Sequence, residues 1–257
     1  MNPIAALGAA SLSAVRGLGA FSIFAARGAV AWIGGPFYWR AFLDAAMRIG
    51  FHSLPVVGLT AVFTGAALAL NIYDGSARFN AETFLPQILS VSIVRELGPG
   101  FAALMVAGRA SSAMAAELGA MRVSDQIDAM ATLAVDPFKY LIAPRILAAT
   151  LTLPLLVLVA DAIGIMGGWL VAVSALGFEG TTFIRNVDGF LTPGDILSGR
   201  VKAGVFGFLI ATMGCWFGYH SQRGAAGVGA ATRAAVVGAA VAILASNYVM
   251  TSLFVGV

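Results

Sequence analysis

The chain is poor in charge. Asp, Glu, Lys and Arg make up 11% of its 257 residues, where soluble domains carry about 25%, so little of its surface is built for water. It has one cysteine, Cys215, set in an apolar run. That excludes an internal disulfide and reads as inert packing. Its only lysines are Lys139 and Lys202. Neither closes a G-x-x-x-x-G-K-[ST] loop, so the chain has no Walker A nucleotide site of its own. There is no H-E-x-x-H, no Cys/His cluster and no G-x-S-x-G, and we expect no catalytic residue, metal or cofactor in the chain itself. The first fifteen residues carry no charged side chain; without a basic n-region, no secretory signal is expected.

Apolar residues are what it has in abundance: 60% of the chain, with a mean hydropathy of +0.91. This composition specifies an all-α integral membrane protein. Five apolar runs of spanning length follow one another, at 55–72, 84–108, 146–178, 203–219 and 234–257. The third is long for one span and short for two, and we read it as one tilted helix, bent near Pro154 or near Gly164, Gly167 and Gly168. Two domains result: an N-terminal segment, 1–54, and a five-span domain, 55–257. In the first, Arg16, Arg27, Arg40 and Arg48 punctuate apolar and aromatic residues. From Pro36 onward, Phe37, Ala41, Asp44 and Arg48 fall at helical spacing, as in a helix lying in the membrane interface. The spacings Gly164-x-x-x-Gly168 and Gly214-x-x-x-Gly218 permit close helix approach, although such spacings also arise by chance in a chain this rich in Gly and Ala.

The basic residues set the orientation. Four lie in the N-terminal segment, four in the connection 109–145 (Arg109, Arg122, Lys139, Arg145) and two in the loop 220–233 (Arg223, Arg233). The opposite side holds Arg78, Arg185, Arg200 and Lys202. Ten against four places the N-terminus in the cytoplasm, and five spans place the C-terminus outside.

Charge inside a span is costly and marks function by default. Arg95 and Glu96 sit in the second run, beside Gly98 and Pro99. Adjacent residues on a helix point about 100° apart, so the two cannot face each other and each needs its own partner. Pro99 cannot donate to the carbonyl of Arg95, which is therefore freed. The pair is either a polar site on a translocation path or a charge network tying helices together. Asp161, in the third run, is the nearest further member of such a network. Arg200 reads as an anchor snorkelling to the interface. Lys202 opens the fourth run and faces either outward or inward, towards an acid or a lipid headgroup. Between spans two and three, 123–133 reads as a short amphipathic helix. Ser124 would be its N-cap, Asp125, Gln126 and Asp128 fill its first turn, and Val123, Ile127, Met130 and Ala134 form its apolar stripe. It either packs on its own protein or enters a partner's groove.

Four stretches carry a family resemblance: VRELGPG at 94–100, AGRASSAMAAELGAMRVSDQIDAM at 107–130, AVDPFKYLIAPR at 134–145 and AATRAAV at 230–236. The chain resembles the MlaE/YrbE permeases, the membrane subunits of ABC transporters that work with MCE proteins, over roughly residues 36 to 257. The resemblance implies a homodimer with an N-terminal interfacial helix and five spans per subunit, in a bacterial inner membrane. It implies a cytoplasmic ATPase that supplies ATP and Mg and is engaged through a coupling helix, here 123–133, with Val123, Asp125, Gln126, Ile127, Asp128 and Met130. A hexameric periplasmic MCE protein and, in many systems, a STAS-domain subunit complete the assembly. The cargo is phospholipid, not nucleic acid, held in a cavity lined by the first, second and fifth spans. The family's arginine and glutamate fall on Arg95 and Glu96, and its lysine on Lys202. Where some members carry an aspartate in the last span, this chain has Asn247. The rival readings are a secondary transporter or channel relaying protons through Glu96 and Asp161, and a membrane scaffold for a cytoplasmic partner.

Overall fold

The computed structural model describes residues 3–33, 35, 37–78 and 80–255. Nine helices and no strand are found among them. They are α1 (Pro3–Val30), α2 (Trp39–Ile49), α3 (Leu54–Ala77), α4 (Glu82–Val123), α5 (Gln126–Thr132), α6 (Phe138–Ser174), α7 (Gly180–Phe190), α8 (Pro193–Tyr219) and α9 (Ala225–Val255). Five helical stretches are long and apolar enough to cross a membrane: α2 running into α3, then α4, α6, α8 and α9. The protein is an all-α, multi-pass membrane protein.

The helices start where the sequence spares a donor. Proline occupies the first turn of α3, of α6 after its opening π-turn, and of α8, where its missing N–H has no partner to lose. α8 adds a capping box: the Thr192 hydroxyl accepts from the Asp195 N–H, and the Asp195 carboxylate accepts from the Thr192 N–H. α6 is one continuous helix with Pro154 inside it.

α8 is the central element. Of its most apolar stretch 56% is buried, against 22% for the spans ending in α3 and α9. Glycines set how near its neighbours come. A Cβ on Gly199 would lie 2.3 Å from the Val94 carbonyl oxygen of α4, and one on Gly207 2.3 Å from that of Ala149 on α6. α3 and α6 meet in the same way, since a Cβ on Gly65 would lie 1.8 Å from the Gly164 oxygen. Lipid tails are as apolar as leucine, so backbone-to-backbone packing, not exclusion of water, holds such helices together. Gly164, Gly168, Gly214 and Gly218 all serve this packing, the last two against Ser111 and Ala115 of α4.

Several boundaries differ from the sequence reading. α4 continues past Arg109 to Val123, so the polar connection begins fifteen residues later than hydropathy placed it. α8 starts at Pro193 and α9 at Ala225, each absorbing part of what read as a loop. Ser124 is no N-cap. Its hydroxyl donates back to the Ala120 carbonyl, and Asp125 takes the cap position at φ 54° without a side-chain bond. Val123 accordingly ends α4 and lies outside α5. Ala134, just beyond α5, also has positive φ (59°), so two left-handed residues, each costing about 1–2 kcal/mol, bracket this short helix. α1 was not foreseen. It packs through Phe24, whose ring meets those of Phe138 (5.1 Å) and Trp216 (5.3 Å), and Arg27 lies 4.0 Å over the Phe138 ring. Pro36, the expected start of α2, lies outside the described residues; α2 itself begins at Trp39.

Candidate functional site

Arg95 and Glu96 lie on a π-turn, Ile93–Leu97, where α4 carries one extra residue and the Gly98 N–H reaches the Ile93 oxygen five residues back. Such turns gather at functional sites. The turn widens the helix just before Pro99 and aims the two charges apart. Glu96 turns toward α8 and α9. Its Oε1 accepts from Lys202 Nζ at 2.6 Å, and its Oε2 accepts from Asn247 Nδ2 at 3.1 Å. Thr251 Oγ1 lies 3.1 Å from Oε1 and donates to the Asn247 carbonyl at 2.8 Å. Lys202 is 2% exposed and makes three bonds: to Glu96, to Thr251 Oγ1 (2.8 Å) and to the carbonyl of Arg95 (3.1 Å). This last is the carbonyl that Pro99 leaves without a backbone donor. The lysine thus neutralises the glutamate and closes the gap in the helix at once.

Arg95 also reaches α8, two turns nearer its start, and meets Asp195 in the first turn, Nη1 to Oδ1 at 3.6 Å. Asp161 does not join Glu96. Its Oδ2 accepts from Arg200 Nη1 at 2.7 Å, so Arg200 is an interior ion-pair partner, not a snorkelling anchor. Asp161 Oδ1 and Arg200 Nε have no partner among the described residues. Oδ1 lies against Gly98, where a Cβ would come within 1.7 Å of it. Three consecutive turns of α8 therefore offer Asp195, Arg200 and Lys202 to opposite charges on α4 and α6. Arg95, Glu96, Asp161, Arg200 and Lys202 each have an opposite charge as partner, as the cost of desolvation demands.

Arg95, Glu96, Lys202 and Asn247 come together around the N-terminal half of α8, with Asp195, Arg200 and Thr251 as members the sequence reading missed. Thr251 stands four residues after Asn247, on the same helix face, and that spacing was there to be read. The partners of Arg95 and Asp161 lie 100 and 39 residues away in sequence, and no local pattern announces them. Beside the node, α9 presents Val237, Val241, Leu244 and Tyr248 outward, each at least 60% exposed, an apolar stripe along the middle of the helix.

The second candidate region is α5 at the far end of α4. Ile127 is 1% exposed and belongs to the protein's own core, with Met130 packed against that core. Asp128 pairs with Arg122 at 2.6 Å. Asp125 and Gln126 are exposed, as are Val123 (37%) and Leu133 (76%). The apolar stripe is thus divided: its middle anchors α5 to the bundle and its ends stay free.

Comparison with known proteins gives this arrangement a context. Residues 42–253 match the family described as Permease MlaE. A probable ABC transporter permease protein of Rickettsia felis is 46% identical over 254 residues, covering 99% of this chain and 98% of the relative. The intermembrane phospholipid transport system permease protein MlaE of Haemophilus influenzae is 35% identical over 262 residues, covering 100% and 98%. A probable ABC transporter permease protein of Synechocystis is 36% identical over 212 residues, covering 82% and 81%. With the family matched across most of its length and relatives aligned nearly end to end, the chain belongs to the MlaE permease family.

Proposed function

We propose that the chain is the membrane subunit of an ATP-driven ABC transporter that moves phospholipid between the inner and outer membranes of a bacterial envelope. The observation that carries this is the buried node of Glu96, Lys202, Asn247 and Thr251 beneath an exposed apolar helix face, in a chain aligned end to end with a phospholipid-system permease. A lipid path needs an apolar wall for the tails and a charged point for the headgroup, and the node and the α9 stripe offer both. The same stripe gives a second copy of the chain a surface to pack on, which supports a homodimer with the cavity between subunits. ATP hydrolysis belongs to a separate cytoplasmic subunit. α5, with its free ends Val123 and Leu133 and exposed Asp125 and Gln126, is its docking point. The N-terminus lies in the cytoplasm, and the outer end of α8 faces a periplasmic MCE protein; a STAS-domain subunit would bind the ATPase, not this chain.

The test is reconstitution. The complex purified through this chain should contain an ATPase and bound phospholipid by mass spectrometry, and lipid transfer from its vesicles should require ATP. Glu96→Gln and Arg95→Ala should each reduce transfer while leaving the dimer assembled. Transfer unchanged by both, or equally fast without ATP, refutes the reading.

A further inference from the structure

α2 has three faces. Ala45 and Ile49 are buried on the bundle. Trp39, Leu43 and Met47 are more than half exposed and stand one above the other. Between these faces run Arg40, Asp44 and Arg48, again at intervals of four. They border an open cavity of about 470 Å³ whose far wall is Tyr140 and Arg145 of α6 and Glu117 of α4. We propose that this cavity binds the headgroup of a membrane lipid bearing both a phosphate and a primary amine, the phosphate on Arg40 and the ammonium on Asp44, with the tails along Trp39, Leu43 and Met47.

The charge distribution selects the ligand. The inner wall is already engaged within the protein: Glu117 is bonded to both Arg48 and Arg145, which leaves one net positive charge there to favour a phosphate. Arg109, in the adjoining cavity, donates to the Arg48 carbonyl that ends α2 and to Ser53 Oγ. Arg40 and Asp44 differ. They are four residues apart, the spacing at which such pairs usually meet on a helix. Yet neither is bonded to the other or to any described residue, and both are exposed. The cavity thus presents one free cation and one free anion side by side. A wholly anionic headgroup would meet repulsion at Asp44, and a wholly cationic one at Arg40. A phosphate joined to an ammonium through two carbons satisfies both.

The surroundings fit the same occupant. The rings of Tyr38 and Tyr140 meet edge to face at 5.0 Å, and neither hydroxyl is bonded to a described residue, which leaves two further donors for phosphate oxygens. The guanidinium fork suits phosphate better than an ammonium does. Trp39 is the ring expected at the level where headgroups meet tails. The cavity is also of the size that holds small ligands, about 300–1,000 Å³. The proposal requires only that α2 lies in a bilayer surface, and does not depend on the transport reading.

The full-length chain would be placed in bilayer discs of equal phosphatidylethanolamine and phosphatidylglycerol, and the lipids it retains counted by native mass spectrometry. The wild type should retain phosphatidylethanolamine in preference. Arg40→Gln should lower that retention about tenfold, the worth of one charge-assisted contact. Asp44→Asn should abolish the preference over phosphatidylglycerol. Arg223→Gln, at an exposed arginine elsewhere, should change neither. Both side chains are exposed, so the fold is not at risk, and helicity checks this. Equal phosphatidylethanolamine retention in all variants overturns the proposal, as does a loss confined to phosphatidylglycerol, which would mark general surface charge. Millimolar phosphoethanolamine separates the two sources of this chemistry. Lipid that stays bound supports a membrane-lipid site, and lipid that is displaced overturns it in favour of a soluble phosphoamine.

Discussion

Replacing Lys202 with Met tests whether the node is one cooperative unit. The substitution keeps the volume of an unbranched chain and removes Nζ. It deletes three hydrogen bonds, at about 0.6 kcal/mol each for polar contacts between membrane helices, or about 2 kcal/mol together. It also strands Glu96. A fully buried broken pair costs about 3–5 kcal/mol, but the Glu96 side chain is 35% exposed, and solvent reduces that share. We expect a total of about 3 kcal/mol, which at about 2–4 °C per kcal/mol for a chain of this size lowers the melting temperature by about 6–12 °C. Glu96→Gln should cost at least as much, because it leaves the ammonium of a 2% exposed lysine without a counter-charge. The double variant Lys202→Met/Glu96→Gln should then recover about 1–3 kcal/mol relative to the sum. The single cysteine supplies the assay. Cys215 is fully buried, so a fluorogenic maleimide reacts only as the bundle opens, and the reaction midpoint on heating reads the stability. If the double variant equals the sum of the singles to within about 0.5 kcal/mol, the two residues act independently and the node is no unit.

Three further outcomes are expected. Gly65→Ala drives a methyl into the Gly164 carbonyl and should lower stability by about 3 kcal/mol or prevent assembly, whereas Gly75→Ala, in open space, should be silent; equal melting temperatures refute the backbone contact. Leu133→Asp, with Asp125→Arg as an independent variant, should abolish copurification of the ATPase without dissolving the membrane dimer, and stoichiometric ATPase in both preparations removes α5 as the docking point. In a Cys215→Ala background, cysteines at the exposed positions Ser124 and Thr181 should be labelled selectively by an impermeant thiol reagent on intact spheroplasts, at 181 only; labelling at 124 alone inverts the orientation.

The spans were legible because apolar length is a property of the chain alone. Their ends were not. Arg109, Glu117 and Arg122 lie on helical turns of α4 beyond the apolar run, and hydropathy falls there although the backbone stays helical, because Arg109 and Glu117 are occupied by α2 and α6. The freed carbonyl of Arg95 followed from Pro99, while the lysine that fills it lies 107 residues away. Asp161 was recognised as needing a partner, but Arg200 looked like an interface anchor because α8 was started at residue 203, a full ten residues late. The early start of α8 is what turns Arg200 and Lys202 inward. α1 stayed hidden because its anchoring rings, Phe21 and Phe24, matter only through Trp216 and Phe138.

The pairing of α8 with α4 and α6 also sets an order of biogenesis. The ribosome delivers Arg95, Glu96 and Asp161 first, in helices that must wait in or beside the translocon with these charges uncompensated. α8, the carrier of Asp195, Arg200 and Lys202, then arrives with a mean hydropathy of only 1.4 and two cations that each oppose insertion by up to about 3 kcal/mol. Neither half enters lipid comfortably alone, and each carries what the other lacks. A nascent chain stopped before Pro193 would hold two membrane-embedded acids without their basic partners, the kind of unfinished product that membrane quality-control proteases remove.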